Sequence, residues 1–158
     1  MFLKKTKARF PYIFKAELIS AHKKDAISIA HAKAIFMKKK YCIQKSPFIV
    51  PTTDGKLIEE HFGNATDGNS QVSIAHMIAP SGWSEPFQTP EFDEYTYIIK
   101  GKKQFIIDGE IIVLEKGQSI KIEKNTKVQY SNPFDEQCEY IAICLPAFSM
   151  DLVNREKV

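Results

Sequence analysis

Residues 92–124 read FDEYTYIIKGKKQFIIDGEIIVLEKGQSIKIEK. Runs of isoleucine, valine, tyrosine and phenylalanine are punctuated by Lys-Gly at 100–101, Asp-Gly at 108–109 and Lys-Gly at 116–117. β-Branched and aromatic residues fit a pleated, half-buried surface, and glycine turns of this kind join neighbouring strands. In SIKIEK (119–124) polar residues alternate with isoleucine, the period of two expected of a strand with one wet face. The same texture extends outward on both sides. PFIVP (47–51), GKLIEEHFG (55–63) and QVSIAHMIA (71–79) precede this stretch, with the polar loop NATDGNS at 64–70; TKVQYSNP (126–133) and EYIAICLPAF (139–148) follow it. Many short strands divided by turn signals, with no long helix among them, predict an all-β sandwich or barrel. Only PAFSMDLVNRE (146–156) invites a short helix.

A length of 158 residues suits one core of ordinary size, and 44% hydrophobic with 26% charged residues marks a globular chain. No apolar run approaches the roughly 20 residues that span a bilayer. Cys42, Cys138 and Cys144 lack CxxC spacing, and no secretory signal is read, so reduced structural thiols in the cytoplasm are expected. The net charge of +3 conceals a division: residues 1–40 carry eleven Lys/Arg against Glu17 and Asp25, a net +9, which leaves −6 for the rest. Residues 1–36 are therefore read as a basic extension, able to form a helix over 16–36 with Leu18, Ile19, Ala26, Ile29 and Ala30 near one side. The leading expectation is a dispensable extension, with Met37 as a natural start and residues 37–158 as the domain; a targeting presequence and an arm that binds nucleic acid or an anionic membrane are the alternatives. The aromatics form no stacking platform and no nucleic-acid motif is present, so neither a nucleic-acid nor a membrane partner is expected.

Two spaced motifs carry a resemblance. Gly82 is followed after five residues by Gln88-Thr89-Pro90, then after three by Glu94 and after six by Gly101. Gly117 is followed after five residues by Glu123-Lys124-Asn125, then after two by Val128 and after three by Asn132. This pattern over residues 82–132 resembles the cupins, and FDEYTYIIKG with the closing Pro-Ala is similar to the metal-poor cupins of the ethanolamine-utilisation type. The resemblance implies a double-stranded β-helix, or jelly-roll barrel, over about 45–148, with a ligand or metal site in its mouth. The glycines, Glu94 and Asn132 stand in register, but Gln88, Pro90 and Val128 take the places of the family's three histidines. Divalent transition metals favour imidazole nitrogen, for which a neutral amide oxygen is a poor exchange and proline and valine none. A degenerate metal site without a resident cofactor is thus expected, with a weak divalent metal on Glu94, Gln88 and His76 as the third reading.

Strand alternation places Glu94, Thr96 and Ile98 on one face, and Val128, Tyr130 and Asn132 on one face of another strand. The resemblance implies that these faces point inward, giving an apolar floor of Ile98 and Val128 under a rim of Gln88, Glu94, Tyr130, Asn132 and His76. Trp83 and Phe87 can cap a ligand by stacking, or equally staple a loop or meet a second subunit. Glu91 and Asp93 are read as solvated loop charges. Tyr95, Tyr97 and Ile99 occupy the opposite face, where the family commonly dimerises. The leading functional reading is binding of a small organic ligand, a carbohydrate or carboxylate derivative, by a homodimer. The alternative is an isomerase- or lyase-type enzyme in which Glu94 is the general acid or base, with Tyr130 or His76 as partner.

Overall fold

The computed structural model describes residues 40–157. The expected basic extension and its helix lie outside them. Ten strands follow one another: β1 (Phe48–Ile49), β2 (Leu57–Phe62), β3 (Ser73–Ala79), β4 (Trp83–Ser84), β5 (Asp93–Lys100), β6 (Lys102–Ile107), β7 (Glu110–Glu115), β8 (Ser119–Ile122), β9 (Val128–Asn132) and β10 (Cys138–Leu145). They form two antiparallel sheets, ordered β1-β2-β3-β10-β5-β8 and β4-β9-β6-β7. All lie in the compact unit Gln44–Val158. The described residues are all-β, as their texture predicts, and among them no helix is long and apolar enough to cross a membrane.

Turn chemistry sets the registers. Asp108 and Gly109 both take positive φ (50° and 87°), the conformation of a type I′ turn, and they pair Ile107 with Glu110 across β6 and β7. Gly101, at φ 75°, lets β5 run into β6 beside the Gln137 carbonyl; a Cβ there would lie 2.5 Å from that oxygen. Beyond β10 the expected helix reduces to a single 3-10 turn at Met150–Leu152. The chain then turns back along residues 87–91, where Glu91 N donates to Leu152 O at 2.8 Å and Glu156 N to Phe87 O at 2.8 Å. Pairing with an existing backbone satisfies these amide groups as well as a helix would.

The inward sets come from alternation, broken on β9 where Ser131 is also buried. β5 buries Glu94, Thr96 and Ile98 while Tyr95 and Tyr97 face outward, β6 buries Lys103 and Phe105, and β9 buries Val128, Tyr130 and Asn132. Ile98, Phe105, Val128, Ile122 and Ala79 fill one end of the space between the sheets, each large side chain contributing about 1.5–3 kcal/mol by leaving water. At the other end the wall residues are small: Ser73 and Ala75 on β3, Ala142 and Cys144 on β10. Small residues there leave the space between the sheets open.

Candidate functional site

That open end is a cavity of about 360 Å³. Its walls come from β2, β3, β5, β6, β9 and β10, from residues 50–56, and from the segment around Glu85 and Gln88, while Phe148, Met150 and Arg155 of the C-terminal segment reach it from beyond β10. Apolar surface is supplied by Ala75, Met77, Phe92, Tyr140 and Ala142.

The polar groups converge in a few networks. Glu94 accepts hydrogen bonds from Thr96 Oγ1 at 3.0 Å and from Tyr130 Oη at 3.0 Å. Burial holds the Tyr130 phenol well above its ordinary range, and the neighbouring Glu94 adds to the effect. Gln88 is fixed by both backbone groups to Val128, each bond 2.9 Å long, and its side-chain oxygen accepts from Arg155 Nε at 3.0 Å. Arg155 Nη2 also reaches Glu85 at 2.7 Å. Glu60, buried at the cavity wall, accepts from the amides of Ala65 and Thr66 and so anchors the 63–70 loop.

Two lysines complete the site. Lys103 is only 1% exposed, and its Nζ stands 3.4 Å from the centre of the Tyr140 ring and 5.0 Å from that of Tyr130. Lys56 Nζ stands 4.2 Å above the Trp83 ring. Among the described residues neither amine has a hydrogen-bond acceptor. Cation–π contacts offset part of the cost of removing an ammonium from water, but not all of it. Burial, then repulsion from Lys56, accordingly lowers the Lys103 ammonium to about 7, and burial lowers Lys56 as well, against the opposing charges of Glu85 and Glu94. The Tyr140 hydroxyl is buried, lacks a partner among the described residues, and belongs to a ring that lines the cavity. Burial raises its pKa well above the ordinary range, so it stays a donor.

The expected site residues divide between this cavity and other places. Gln88, Glu94 and Tyr130 line it together. Asn132 does not; its Nδ2 donates to the carbonyls of Ala79, Pro80 and Glu136 at 2.8–3.2 Å and ties two turns together. Trp83 lies under Lys56, held by its Nε1 bond to Asp54 at 2.7 Å. His76 is on the outer face of the six-stranded sheet, between Glu59 at 2.7 Å and Glu139 at 2.8 Å. Burial alone would lower its pKa, but those two carboxylates raise it. Ile98 and Val128 belong to the packed core, so the cavity has a different floor from the expected one. Phe87 meets the Lys127 ammonium at 5.0 Å, Glu91 accepts from Asn154, and Asp93 accepts from the Lys124 amide at 2.9 Å.

Lys56, Lys103, Tyr140 and Arg155 escape the sequence reading. Lys103 carried a usable signal, since it stands two residues before Phe105 in KKQFII and must share its face. Tyr140 likewise alternates with Cys138 and Ala142. Lys56, in a polar turn, and Arg155, near the end of the chain, carried none.

These residues do not fit the family's imidazole metal site. The Gln88 oxygen is engaged by Arg155, Pro90 and Val128 bring no donor, and His76 points elsewhere. Among the described residues no three His, Cys, Asp or Glu side chains group as metal donors.

Comparison with known proteins agrees with this fold. Residues 75–144 match the cupin domain family Cupin_2. Endoribonuclease YbeY of Myxococcus xanthus is 37% identical over 108 residues, 68% of this chain but 37% of that protein, so the chain spans little more than a third of that relative's length. The structure of Clostridium difficile EutQ is 25% identical, with a TM-score of 0.50 over 58% of this chain and 63% of that one. An RmlC-like cupin of Methanocaldococcus jannaschii with a double-stranded β-helix fold is 20% identical, with a TM-score of 0.53 over 68% of this chain and 94% of that one. Family match, sheet topology and inward register agree: residues 75–144 carry a cupin domain, the fold is that of the RmlC-like cupins, and the chain is similar to EutQ.

Proposed function

We propose that the barrel binds a small organic acid without a resident metal. The observation that carries this reading is the pair of buried amines, Lys56 and Lys103, which share one cavity and have no acceptor among the described residues. The cavity's carboxylates are already engaged: Asp54 by Trp83 and the Lys56 amide, Glu85 by Arg155, Glu94 by Tyr130 and Thr96, Glu60 by the 63–70 loop. A ligand carboxylate supplies the missing acceptor and relieves the repulsion between the two ammonium groups. A neutral sugar leaves that repulsion in place. Tyr140 offers a further hydrogen bond, and the apolar wall accommodates a short hydrocarbon body.

A thermal-shift screen tests this. Small carboxylates should raise the unfolding midpoint and neutral sugars should not, and the Lys56→Met/Lys103→Met double variant should remain folded and lose the response. Stabilisation by sugars alone, or carboxylate binding that survives the loss of both amines, would overturn it. Stoichiometric Fe, Mn, Ni or Zn in protein purified without chelator or affinity tag would remove the metal-free part of the reading.

The Glu94–Tyr130 hydrogen bond favours a second reading, acid–base catalysis on the bound acid. Glu94→Gln separates the two: turnover of a bound compound that this change abolishes supports an enzyme, and weakened binding with no turnover to lose supports a receptor. We also propose that a second copy packs on the outer face of the six-stranded sheet, where Tyr95 and Tyr97 are 42% and 49% exposed beside Ile141 and Ile143.

A further inference from the structure

We propose that Lys103 is a carbonyl-binding amine: its Nζ adds to the aldehyde or ketone carbon of an oxo-acid in the cavity and forms an imine. The inference rests on the organic-acid reading and assigns the two lysines different tasks. Lys56, over Trp83 and near the Arg155 charge, meets the carboxylate; Lys103, deeper and on the Tyr140 face, meets the carbonyl.

Three features of the site support this. Lys103 lines the cavity yet is almost wholly withdrawn from solvent, and among the described residues its amine neither donates to nor accepts from another side chain. Its neighbours keep a large share of it neutral near pH 7: burial and the Lys56 charge outweigh the opposing Glu94, Glu85 and Cys138 on the surrounding elements. Buried lysines of this kind are the ones used as nucleophiles toward carbonyl groups. The same tyrosine ring that carries the amine ends in an unpartnered buried hydroxyl, a donor for the carbonyl oxygen as negative charge develops there.

The step balances without an oxidant or reductant. The nitrogen lone pair forms the C–N bond as the C=O π electrons move to oxygen. The two protons lost from nitrogen end on that oxygen, which leaves as water when the C–O bond breaks and C=N forms. Hydrolysis reverses each step.

Glyoxylate, which carries an aldehyde and a carboxylate on two carbons, is the probe; glycolate is its counterpart without the carbonyl. The full chain is incubated with glyoxylate and cyanoborohydride at neutral pH, and modified lysines are located by peptide mass spectrometry. At pH 7 an ordinary lysine is roughly four parts in ten thousand neutral, so carboxymethylation of Lys103 should outpace that of exposed Lys121 by about tenfold or more. The rate should saturate with glyoxylate and fall when glycolate is added. Lys56→Met removes a repelling charge and should move the pH midpoint of the Lys103 reaction upward, an effect that a merely exposed amine would not show. Modification spread over surface lysines, or concentrated on Lys56, overturns the assignment; so does a Lys103 reaction that neither saturates nor responds to glycolate. If glycolate raises the unfolding midpoint while Lys103 stays unmodified, the imine is refuted and the organic-acid reading stands. If no carboxylate stabilises the protein, the organic-acid reading itself fails.

Discussion

At the scale of single residues, Lys103 joins stability to function most directly. An ammonium with no acceptor inside a barrel destabilises the free protein, and the cost depends on pH. The folded-state pKa is lowered to about 7, whereas the unfolded chain titrates near ~10.4. Between those values the unfolded state binds more protons, so stability rises with pH; below about 7 both states are protonated and the full penalty is felt. Lys103→Met removes the charge at similar volume. It should therefore stabilise the unliganded protein at pH 6.5 by a few kcal/mol, at roughly 1.4 kcal/mol per unit of displaced pKa, with the difference shrinking toward pH 10. Urea unfolding of both proteins across that range measures it, and an advantage that grows with pH would contradict the assignment. A ligand carboxylate of the kind proposed would offset this penalty on binding.

At the scale of elements, the turns are where backbone chemistry is least negotiable. Gly101 and Gly109 both take positive φ, yet their surroundings differ. A methyl at 109 meets nothing within 4 Å, whereas one at 101 meets the Gln137 carbonyl at 2.5 Å. Gly109→Ala should therefore cost about 1 kcal/mol, from backbone strain alone. Gly101→Ala should cost about 2–3 kcal/mol, because the β10 approach must also yield. Equal losses in chemical denaturation would show that the approach of residues 137–138 to the β5–β6 turn carries no weight. The strands themselves were legible because alternation and turn chemistry are local: the run 92–124 contains β5 through β8 and the turns between them. The C-terminal segment was not. The composition of PAFSMDLVNRE suits a helix, and its one-turn outcome reflects pairing with residues 87–91, far away in sequence.

At the scale of the whole molecule, the two faces of the six-stranded sheet have different chemistry. Its inner face supplies the small residues that leave the cavity open; its outer face presents Tyr95 and Tyr97. If that outer face joins two copies, Tyr95→Lys/Tyr97→Lys should convert a dimer to a monomer in sedimentation velocity and leave carboxylate binding intact. A wild-type protein that sediments as a monomer would rule the pairing out.

What the sequence determined by itself is what local periodicity and motif spacing can carry. The alternation in β5 and β9 put Glu94 with Thr96 and Ile98 on one face and Tyr130 with Val128 and Asn132 on another, the resemblance turned those faces inward, and Asp108-Gly109 set the β6–β7 hairpin. Only the tertiary structure decided which charged groups share the cavity. Lys56 arrives from a turn, Lys103 from the opposite sheet, and Arg155 from the returning C-terminal segment. It also sent His76 outward to Glu59 and Glu139, and gave Asn132 to three backbone carbonyls. The physical reason is one of range. A strand's periodicity records which side of the sheet a residue occupies, but the energy of a buried charge depends on groups brought close by chain closure, and no short window of sequence contains them.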